Sequence, residues 1–283
     1  MKYKSLNEAF VSELSELKTS GSLVKARGSN QLEKVFVNFE ISNPTDINVT
    51  VESRKFNQRY AIAEWLWYLS ANSKVNNISK LASIWKDIQD SYGEVESNYG
   101  SYIFSLDKNF SRSQWSWVVN ELLVDRDSRR ATISINQPYH KEKNAKDYPC
   151  TQYIQFFVRD NRLHVGVSMR SNDIIFGLCN DIFTFCLFQQ LMLNELNDRG
   201  LKLELGSYFH HAGSLHIYER HFKMMDNILN NLKEEYSSEK LLLKQGLTYK
   251  KLLSLRSEIS SKELTKKEIF SHVDKAKGDL FDV

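Results

Sequence analysis

The sequence predicts an α+β fold, built as a two-layer or three-layer α/β sandwich. Alternating apolar residues indicate strands in the middle of the chain, and segments with helical periodicity come before and after them. The chain has 283 residues, of which 41% are hydrophobic and 26% charged. This length and composition suit one large globular domain, or one domain with an appendage.

Helices dominate the first half of the chain. Apolar periodicity predicts helices over residues 5–19, 56–69, 78–92 and 111–123. Residues 34–41 alternate as a strand, which the turn sequence Asn43-Pro44 ends. The helix at 56–69 is rich in aromatic side chains, so we expect it to be largely buried.

The centre of the chain has the pattern of a sheet. Residues 131–136, 151–159 and 162–170 have strand patterns, and Asp160-Asn161 joins the last two. Both linking residues tolerate the left-handed conformation, which favours a tight hairpin. The side chains at 163, 165, 167 and 169 share the apolar face, so Arg170 lies at the end of the strand on the opposite face.

The remaining residues return to helices around one more strand. Residues 182–197 are apolar nearly all round, which indicates a buried central helix. A strand over 202–212 and a helix over 216–232 follow. From residue 237 the chain becomes Lys-rich, so we predict a main domain over 1–236 and a helical C-terminal extension on its surface over 237–283.

The bulk chemistry excludes several function classes. A net charge of +3 is too small to argue for nucleic acid binding, and no apolar run is long enough to span a bilayer. Three cysteines without a framework spacing indicate reduced thiols and a cytoplasmic protein. There is no Walker loop, dinucleotide fingerprint or zinc spacing, and His210, His211 and His216 lack supporting ligands, so no metal is expected.

Cys150 is a candidate nucleophile. It follows Pro149 at the start of a predicted strand, and its thiolate would be the reactive form. A buried, inert cysteine is the alternative interpretation of Pro-Cys alone. Cys179 and Cys186 lie in or beside the apolar helix, and we interpret both as structural.

Several arginines are candidate anion ligands. Arg170 and Ser171 leave a strand side by side, and a guanidinium next to a hydroxyl suits a phosphate group. Arg129 and Arg130 precede another strand, and Arg27 lies in a loop with Gly28. Taken singly, each of these arginines could equally be a solvated surface charge.

Glu64 is a candidate acid or base. It lies in a strongly apolar helical segment, where burial would raise the pKa of its carboxyl towards neutrality. Such a group can shuttle protons, although an ion-paired structural glutamate is the alternative. His216 and Tyr218 could hydrogen-bond a sugar hydroxyl.

Taken in order, these segments resemble the thymidylate synthase family. The resemblance covers roughly residues 27–230. The order and spacing of the matching segments together are more specific than any single segment. The matching segments are Glu64-x-Leu66-Trp67, Ile84-Trp85, Gly93-Glu94, Tyr99-Gly100, Asp127-Ser128-Arg129-Arg130, Pro149-Cys150, Arg170-Ser171-x-Asp173, Gly177-Leu178 and His216-x-Tyr218.

The resemblance implies a fold and a reaction. The fold would be a mixed sheet that forms a homodimer interface, with helices packed on its other face, and residues 1–236 would be the catalytic domain. Cys150 would add to C6 of a pyrimidine nucleotide, and C5 would then attack the one-carbon unit of 5,10-methylenetetrahydrofolate. Glu64, with Tyr99 nearby, would manage the protons.

The resemblance also implies the binding residues. Arg170, Ser171 and Arg27 would hold the 5′-phosphate, and Arg129 and Arg130 would reach it from the partner subunit. His216 and Tyr218 would bind the 3′-hydroxyl. Trp85, Asp173 and Gly177 would line the folate region.

Asp181 determines the expected subclass. A synthase that acts on uracil has asparagine at this position, whereas the deoxycytidylate hydroxymethylases have aspartate. A carboxylate accepts from the C4 amine of cytosine, and with N3 or the carboxyl protonated the match becomes bidentate. Met169 and Thr151 also replace the glutamine and histidine of the usual synthase. The resemblance is therefore strongest to the deoxycytidylate hydroxymethylases.

Three functions stay open at this point. The first is hydroxymethylation of dCMP, in which water ends the reaction. The second is a thymidylate synthase acting on dUMP or a dCMP C5-methylase, because Asp181 reports on the base and not on the fate of the transferred carbon. The third is a catalytically silent nucleotide-binding homologue, against which the retention of Cys150, Glu64 and Tyr99 argues.

Overall fold

The computed structural model describes residues 1–26, 28–106, 111–141 and 146–282. Its helices are α1 (Leu6–Ser20), α2 (Gln58–Leu69), α3 (Ile84–Ile88), α4 (Tyr99–Phe104), α5 (Gln114–Val124), α6 (Gly177–Asp198), α7 (Phe222–Asn230), α8 (Leu253–Glu258) and α9 (Lys266–Leu280). Its strands are β1 (Lys2–Tyr3), β2 (Ser22–Ala26), β3 (Ser29–Ile41), β4 (Thr132–Ser134), β5 (Thr151–Arg159), β6 (Arg162–Met169), β7 (Asn172–Asp173) and β8 (Glu204–Tyr218).

The strands form one mixed sheet. Its order is β1-β3-β8-β6-β5-β4, with β2 added to β3 and β7 added to β8. Strands β6 and β8 are parallel, whereas β3 and β8, and β5 and β6, are antiparallel. Helices α1 and α6 pack against the sheet, and the predicted α+β class is confirmed.

The β5–β6 hairpin forms as predicted. Asp160 and Asn161 both have positive φ, 49° and 60°, which is the left-handed conformation that a two-residue hairpin turn requires. The alternating apolar residues of β6 are buried on the inner face of the sheet, against α6. The turn therefore sets the register that brings the end of β6 beside the start of β5.

The predicted helix over 78–92 is wrong. The segment instead contains a short 3₁₀ turn at Ile78–Lys80 and the five-residue α3. Asp90 accepts hydrogen bonds from the backbone of Tyr92 and Glu94, and Glu94 forms a bridge with Lys74. These contacts take up backbone groups that a continuous helix would need.

The predicted strand over 202–212 and helix over 216–232 also need correction. Strand β8 continues to Tyr218 because it has partners on both sides at its end, Gln31 of β3 and the residues of β7. The helix begins only at Phe222. His216 and Tyr218 are therefore strand residues, and their i, i+2 spacing places both on the same face of β8.

Helix α6 is the central helix of the fold. It begins at Gly177, five residues before the predicted start, so Asp181 lies within it and not ahead of it. Nearly all of its side chains are buried, as its apolar sequence predicts. Among the described residues, no helix is long and apolar enough to cross a membrane.

The segment from residue 237 onward packs into the same core as the rest of the chain. Gln190 of α6 bonds the backbone of Leu241 and Leu243, and Arg59 of α2 forms a two-pronged ion pair with Asp274 of α9. Several apolar side chains of α9 and the segment before it are buried. This segment thus contributes buried side chains to the core, and the domain boundary at residue 236 stays a prediction.

The outer face of the sheet carries exposed apolar side chains. Phe36 of β3, Tyr153 of β5 and Phe209 of β8 are all exposed, and Phe36 stacks on His211. Isolated apolar side chains are ordinary on a protein surface, but several on one sheet face indicate an interaction surface.

Candidate active site

Cys150 and Arg170 meet where β5 begins and β6 ends. The backbone N–H of Arg170 donates to the carbonyl of Cys150 at 2.8 Å. Its guanidinium donates to the carbonyls of Tyr148 and Pro149, at 2.6 and 3.1 Å, and lies 3.7 Å from Cys150 Sγ. The thiol is half-buried beside a fixed positive charge, an environment that favours the thiolate.

Gly213 allows β8 to approach Arg170. A Cβ atom added at Gly213 would lie 3.0 Å from the Arg170 carbonyl oxygen, closer than side chains normally pack against backbone. Ser171 follows Arg170 and leads directly into β7, which pairs with β8 at Leu215 and His216. The end of β6 is therefore held between β5 and β8.

Glu64 lies at the end of a chain of three hydrogen-bonded groups in α2 and α3. Trp85 Nε1 donates to the Tyr60 hydroxyl at 3.0 Å, and that hydroxyl donates to Glu64 Oε1 at 2.5 Å. Glu64 is 5% exposed. Burial raises its pKa to about 8; the bond from Tyr60 opposes the rise, and the Asp181 carboxylate adds to it. Glu64 can thus hold or release a proton near neutral pH.

The raised pKa of Glu64 makes stability depend on pH. Its carboxyl binds a proton more tightly in the folded chain than at its ordinary pKa of 4.5, so the free energy of unfolding falls as pH rises from there through about 8. The loss is on the order of 1.4 kcal/mol for each pH unit of that window at most. Glu64→Gln, which stays neutral, should lose less stability between about pH 5.5 and about pH 8.5 in urea unfolding. Equal losses in both proteins would contradict this assignment.

Asp181, on α6, lies close enough to Glu64 for the two carboxyls to interact electrostatically. Burial raises its pKa to about 7, while the hydrogen bond from Asn172 Nδ2 to Oδ2, at 2.8 Å, opposes the rise. The charge of Asp181 also acts on Glu64, so the two carboxyls influence each other. A carboxyl with a pKa near 7 can be a donor or an acceptor at physiological pH.

Tyr99 connects these groups. Its ring is stacked between Tyr68 and Phe185, with centroids 5.2 and 5.9 Å away. Burial raises the pKa of Tyr99, and the nearby Asp181 and Cys150 add to the rise. Four predicted residues therefore lie close together: Glu64 on α2, Tyr99 on α4, Cys150 immediately before β5, and Asp181 on α6.

The pairing of β7 with β8 brings further predicted residues together. Asp173 lies opposite His216, and the N–H of Ile174 donates to the His216 carbonyl at 2.8 Å. His216 is buried, and its ring lies edge-on to Tyr218 at 5.0 Å. Asp173 accepts hydrogen bonds from the backbone of Ile175 and Phe176, which fixes its carboxylate at the start of α6.

Gly177 permits close packing at the first turn of α6. A Cβ atom there would lie 3.0 Å from Asn172 Nδ2, 3.4 Å from Asp181 Oδ2 and 3.7 Å from Asp173 Cβ. The absence of a side chain therefore lets the helix start approach the Asn172–Asp181 hydrogen bond.

Two predicted phosphate ligands, Arg129 and Arg130, are not brought to this cluster within one subunit. Arg130 is exposed and pairs with Glu121 at 2.8 Å, just before the edge strand β4. The carbonyl of Arg129, which is also exposed, accepts a hydrogen bond from Gln155. Arg27 lies outside the described residues.

Three polar residues of the cluster were not predicted from the sequence to belong to the site. Tyr60 lies four residues before Glu64, a helical spacing that could have identified it. Asn172 and His210 hydrogen-bond each other at 3.1 Å, and only the pairing of distant strands reveals that contact. Over the described ranges of the chain, no group of three or more His, Cys, Asp or Glu side chains could hold a metal ion.

Comparison with known proteins identifies the family. The thymidylate synthase family model matches residues 9–259, most of the chain. The chain belongs to the thymidylate synthase family. Deoxycytidylate 5-hydroxymethyltransferase of Enterobacteria phage T2 is 30% identical over 236 residues, covering 79% of this chain and 92% of the phage protein. The phage T4 protein of the same name is 31% identical over 219 residues, covering 75% of this chain and 85% of its own.

A solved structure supports the same fold. Thermostable thymidylate synthase A from Bacillus subtilis superposes with a TM-score of 0.68 at 20% identity, covering 84% of this chain and 87% of that one. Enzymes of the thymidylate synthase family transfer a one-carbon unit and use methylenetetrahydrofolate as co-substrate. The chain is thus a folate-dependent one-carbon transferase by family, and its base and product require separate arguments.

Proposed function

We propose that this thymidylate synthase family member is a deoxycytidylate 5-hydroxymethyltransferase. It would convert dCMP, 5,10-methylenetetrahydrofolate and water into 5-hydroxymethyl-dCMP and tetrahydrofolate. The observation that carries the proposal is Asp181, which lies near Glu64 and, with Cys150, near Tyr99, and which accepts a hydrogen bond from Asn172. The likeness to the phage hydroxymethyltransferases supports it.

Cys150 is the proposed nucleophile. Its sulfur would form a bond to C6 of cytosine, which shifts an electron pair towards C5 and makes C5 the attacking atom for the one-carbon unit. The Arg170 guanidinium, 3.7 Å from the sulfur, stabilises the thiolate before attack. Because Arg170 also bonds the carbonyls of Tyr148 and Pro149, it holds the loop before Cys150 in one position.

Glu64 is the proposed proton carrier. Its pKa of about 8 allows the carboxyl to exchange a proton near neutral pH. The Tyr60 hydroxyl fixes one carboxyl oxygen through a short hydrogen bond. In this role Glu64 would receive the proton that leaves C5 as the bond between the transferred carbon and the folate nitrogen breaks, which releases tetrahydrofolate and leaves an exocyclic methylene group. Glu64 would then orient the water that adds to this methylene carbon. The bond between Cys150 and C6 would then break as the product leaves.

Substrate contacts follow from the arrangement around β7 and β8. Arg170 and Ser171 would hold the 5′-phosphate. Because Nε and Nη2 of Arg170 bond backbone carbonyls, Nη1 would be the group that donates to a phosphate oxygen. His216 and Tyr218, on one face of β8, would hydrogen-bond the 3′-hydroxyl. Arg27 belongs to the phosphate set by resemblance alone, because it lies outside the described residues.

The folate co-substrate fits beside the start of α6, where it would supply the one-carbon unit. Phe176 is 43% exposed there and lies 4.7 Å over the buried Arg54 guanidinium. The Asp173 carboxylate is fixed by backbone hydrogen bonds and can accept from an N–H of a ligand. We therefore assign Trp85, Asp173 and Gly177 to the folate region.

The functional unit is proposed to be a homodimer. The exposed apolar residues of the outer sheet face would be covered by the same face of a second copy. Arg129 lies near this face, because its carbonyl binds Gln155, a neighbour of the outward-facing Tyr153 and Phe209 region. Arg129 and Arg130 could thus reach the partner's phosphate site.

Mixing two inactive variants tests the shared site. One variant carries Cys150→Ala, and the other carries alanine at both Arg129 and Arg130. A heterodimer has one site with an intact cysteine from one subunit and intact arginines from the other. After refolding the two together at equal amounts, we expect about a quarter of the wild-type activity. Absence of any recovery in verified heterodimers would contradict delivery of the arginines across the interface.

Substrate choice tests the proposed function. Purified protein is supplied with methylenetetrahydrofolate and either dCMP or dUMP, and nucleotide consumption is followed by chromatography. We expect dCMP to be used with a kcat/KM at least about 100-fold above that of dUMP, the discrimination that a buried hydrogen-bond mismatch provides. A preference for dUMP would favour the second candidate, a thymidylate synthase activity, which the family membership alone also allows.

A further inference from the structure

A buried chain of hydrogen bonds connects the sheet with the Asp181 carboxyl. The Tyr208 hydroxyl lies 2.9 Å from His210 Nδ1 on β8. His210 Nε2 lies 3.1 Å from Asn172 Oδ1, and Asn172 Nδ2 donates to Asp181 Oδ2 at 2.8 Å. Tyr208, His210 and Asn172 are all buried, so solvent water does not readily replace these bonds.

The direction of every bond in this chain is determined by its chemistry. An ionised carboxylate only accepts, so Asn172 must present its NH₂ group to Asp181 and its carbonyl oxygen to His210. The His210 ring must then carry its proton on Nε2, which leaves Nδ1 to accept from the Tyr208 hydroxyl. All three bonds therefore donate towards Asp181.

A carboxyl group without such a partner does not discriminate well between the two pyrimidines. Cytosine presents a donor at C4 and an acceptor at N3, whereas uracil presents an acceptor at C4 and a donor at N3. A protonated carboxyl can match either pattern by carrying its proton on one oxygen or on the other. Discrimination therefore requires that the two oxygens of Asp181 be made unequal.

We propose that Asn172, oriented by His210 and Tyr208, is a positioning residue that sets the hydrogen-bonding polarity of the Asp181 carboxyl and thereby its choice of base. The N–H from Asn172 keeps Oδ2 an acceptor, so a proton bound by the carboxyl resides on Oδ1. Oδ2 then pairs with the C4 amine of cytosine, and Oδ1 pairs with N3. This inference rests on the proposed function, in which Asp181 contacts the base.

The surrounding packing holds the chain of bonds in place. Phe39 of β3 stacks on the His210 ring at 5.0 Å, which limits rotation of that ring. On the other side, Gly177 leaves only 3.0 Å between a would-be Cβ atom and Asn172 Nδ2. A flipped Asn172 amide would place its oxygen against the Asp181 carboxylate and its NH₂ group against the His210 N–H, so these hydrogen bonds keep the amide in one orientation.

The charges around Asp181 agree with this role. Burial raises its pKa to about 7, and the bond from Asn172 is the interaction that lowers it. Burial also lowers the pKa of His210 to about 3, so its ring stays neutral and keeps a single donor. Other titratable groups coupled to Asp181 are Glu64, Tyr60 and Tyr68 of α2, Tyr99 of α4, Asp173 of β7, Cys179 of α6 and Tyr208 of β8.

Nucleotide binding to a small set of variants tests the inference. Dissociation constants of dCMP and dUMP are measured by calorimetry for the unsubstituted protein, Asn172→Ala, His210→Leu and His210→Gln. Asn172→Ala should reduce the ratio of the two constants about 10- to 100-fold, because the two Asp181 oxygens become equivalent. His210→Leu should reduce it similarly, since the amide can then turn. His210→Gln keeps an N–H donor near the position of Nε2 and should retain most of the ratio.

The pH dependence distinguishes positioning from a general structural role. Loss of the Asn172 donor should move the pH midpoint of dCMP binding upward in Asn172→Ala. Equal weakening of both nucleotides, with an unchanged ratio and midpoint, would overturn the inference. Asn172→Ala and His210→Gln suffice if His210→Leu does not fold. A changed ratio supports the inference whichever base the unsubstituted protein prefers, whereas a dUMP preference in that protein overturns the proposed function.

Discussion

Replacement of Cys150 by alanine should lower kcat on dCMP by at least about four orders of magnitude, because no other group can form the bond to C6. Binding of dCMP should change much less, since the phosphate and sugar contacts remain. Steady-state turnover measures the first effect and calorimetry the second. Mass spectrometry after incubation with a 5-fluoropyrimidine nucleotide and methylenetetrahydrofolate should show a covalent adduct in the unsubstituted protein but not in Cys150→Ala.

Cys186→Ala is the matched control. Cys186 is fully buried in α6, and burial raises its pKa well above the ordinary value, so its thiol stays protonated and unreactive. This variant should keep turnover within about threefold of the unsubstituted protein and should still form the adduct. Persistent turnover or adduct formation in Cys150→Ala would remove Cys150 from the nucleophile role and leave the mechanism without its first step.

Asp181→Asn should exchange the preferred base. With its NH₂ group towards C4, an asparagine donates to O4 of uracil and accepts from its N3–H, whereas the same orientation places donor against donor and acceptor against acceptor on cytosine. This orientation requires the Asn172 amide to turn so that its oxygen accepts from the new NH₂ group, and the neutral His210 ring and the Tyr208 hydroxyl can reverse their bonds to match. The ratio of kcat/KM for dCMP over dUMP should fall by about 100-fold or more, with most of the change in the dCMP value. Competition between the two nucleotides in one reaction measures this ratio directly.

Asp198→Asn provides the same chemical change at the far end of α6. Asp198 pairs with Lys251 on the surface, at 3.0 Å, and lies at the opposite end of α6 from Asp181. Its replacement should leave the base preference unchanged. If Asp181→Asn retains the preference of the unsubstituted protein, Asp181 does not read the base, and the assignment to cytosine loses its main support.

The meeting of Cys150 and Arg170 was largely predictable from sequence. A two-residue turn at Asp160-Asn161 places Arg159 opposite Arg162, and counting back along both strands brings their far ends together. This count does not predict the exact register at the end of the hairpin. A bulge between Thr151 and Tyr153 shifts the register by one residue, so that the Arg170 N–H meets the carbonyl of Cys150.

The remaining site contacts depend on packing between segments that are distant in sequence. The β7 strand has only two residues, and nothing local indicates that it pairs with β8 and places Asn172 within reach of His210. Strand β8 has two partners at its end, which outweigh the local helical pattern of residues 216–232. Such long-range pairing overrides local preference and cannot be read from periodicity.

Long-range contacts also determine the helical segments, and periodicity does not predict them. Glu64 was identified because a carboxylate in an apolar helix needs a partner, but its partner network also uses Trp85, in a segment predicted as one continuous helix. Side-chain hydrogen bonds of Asp90 break that helix, and such bonds compete with helical structure only when the fold supplies the right neighbours. The core packing of the Lys-rich C-terminal segment was not predicted, because its buried apolar residues are widely spaced in the sequence.

The most direct test is the identity of the product formed from dCMP. The protein is incubated with dCMP and methylenetetrahydrofolate in water labelled with heavy oxygen, and both the nucleotide and the folate product are analysed by mass spectrometry. If the protein is a hydroxymethyltransferase, we expect a nucleotide that is heavier by one CH₂O unit and contains the heavy oxygen, together with tetrahydrofolate. A nucleotide heavier by one CH₂ unit, formed together with dihydrofolate, would contradict it.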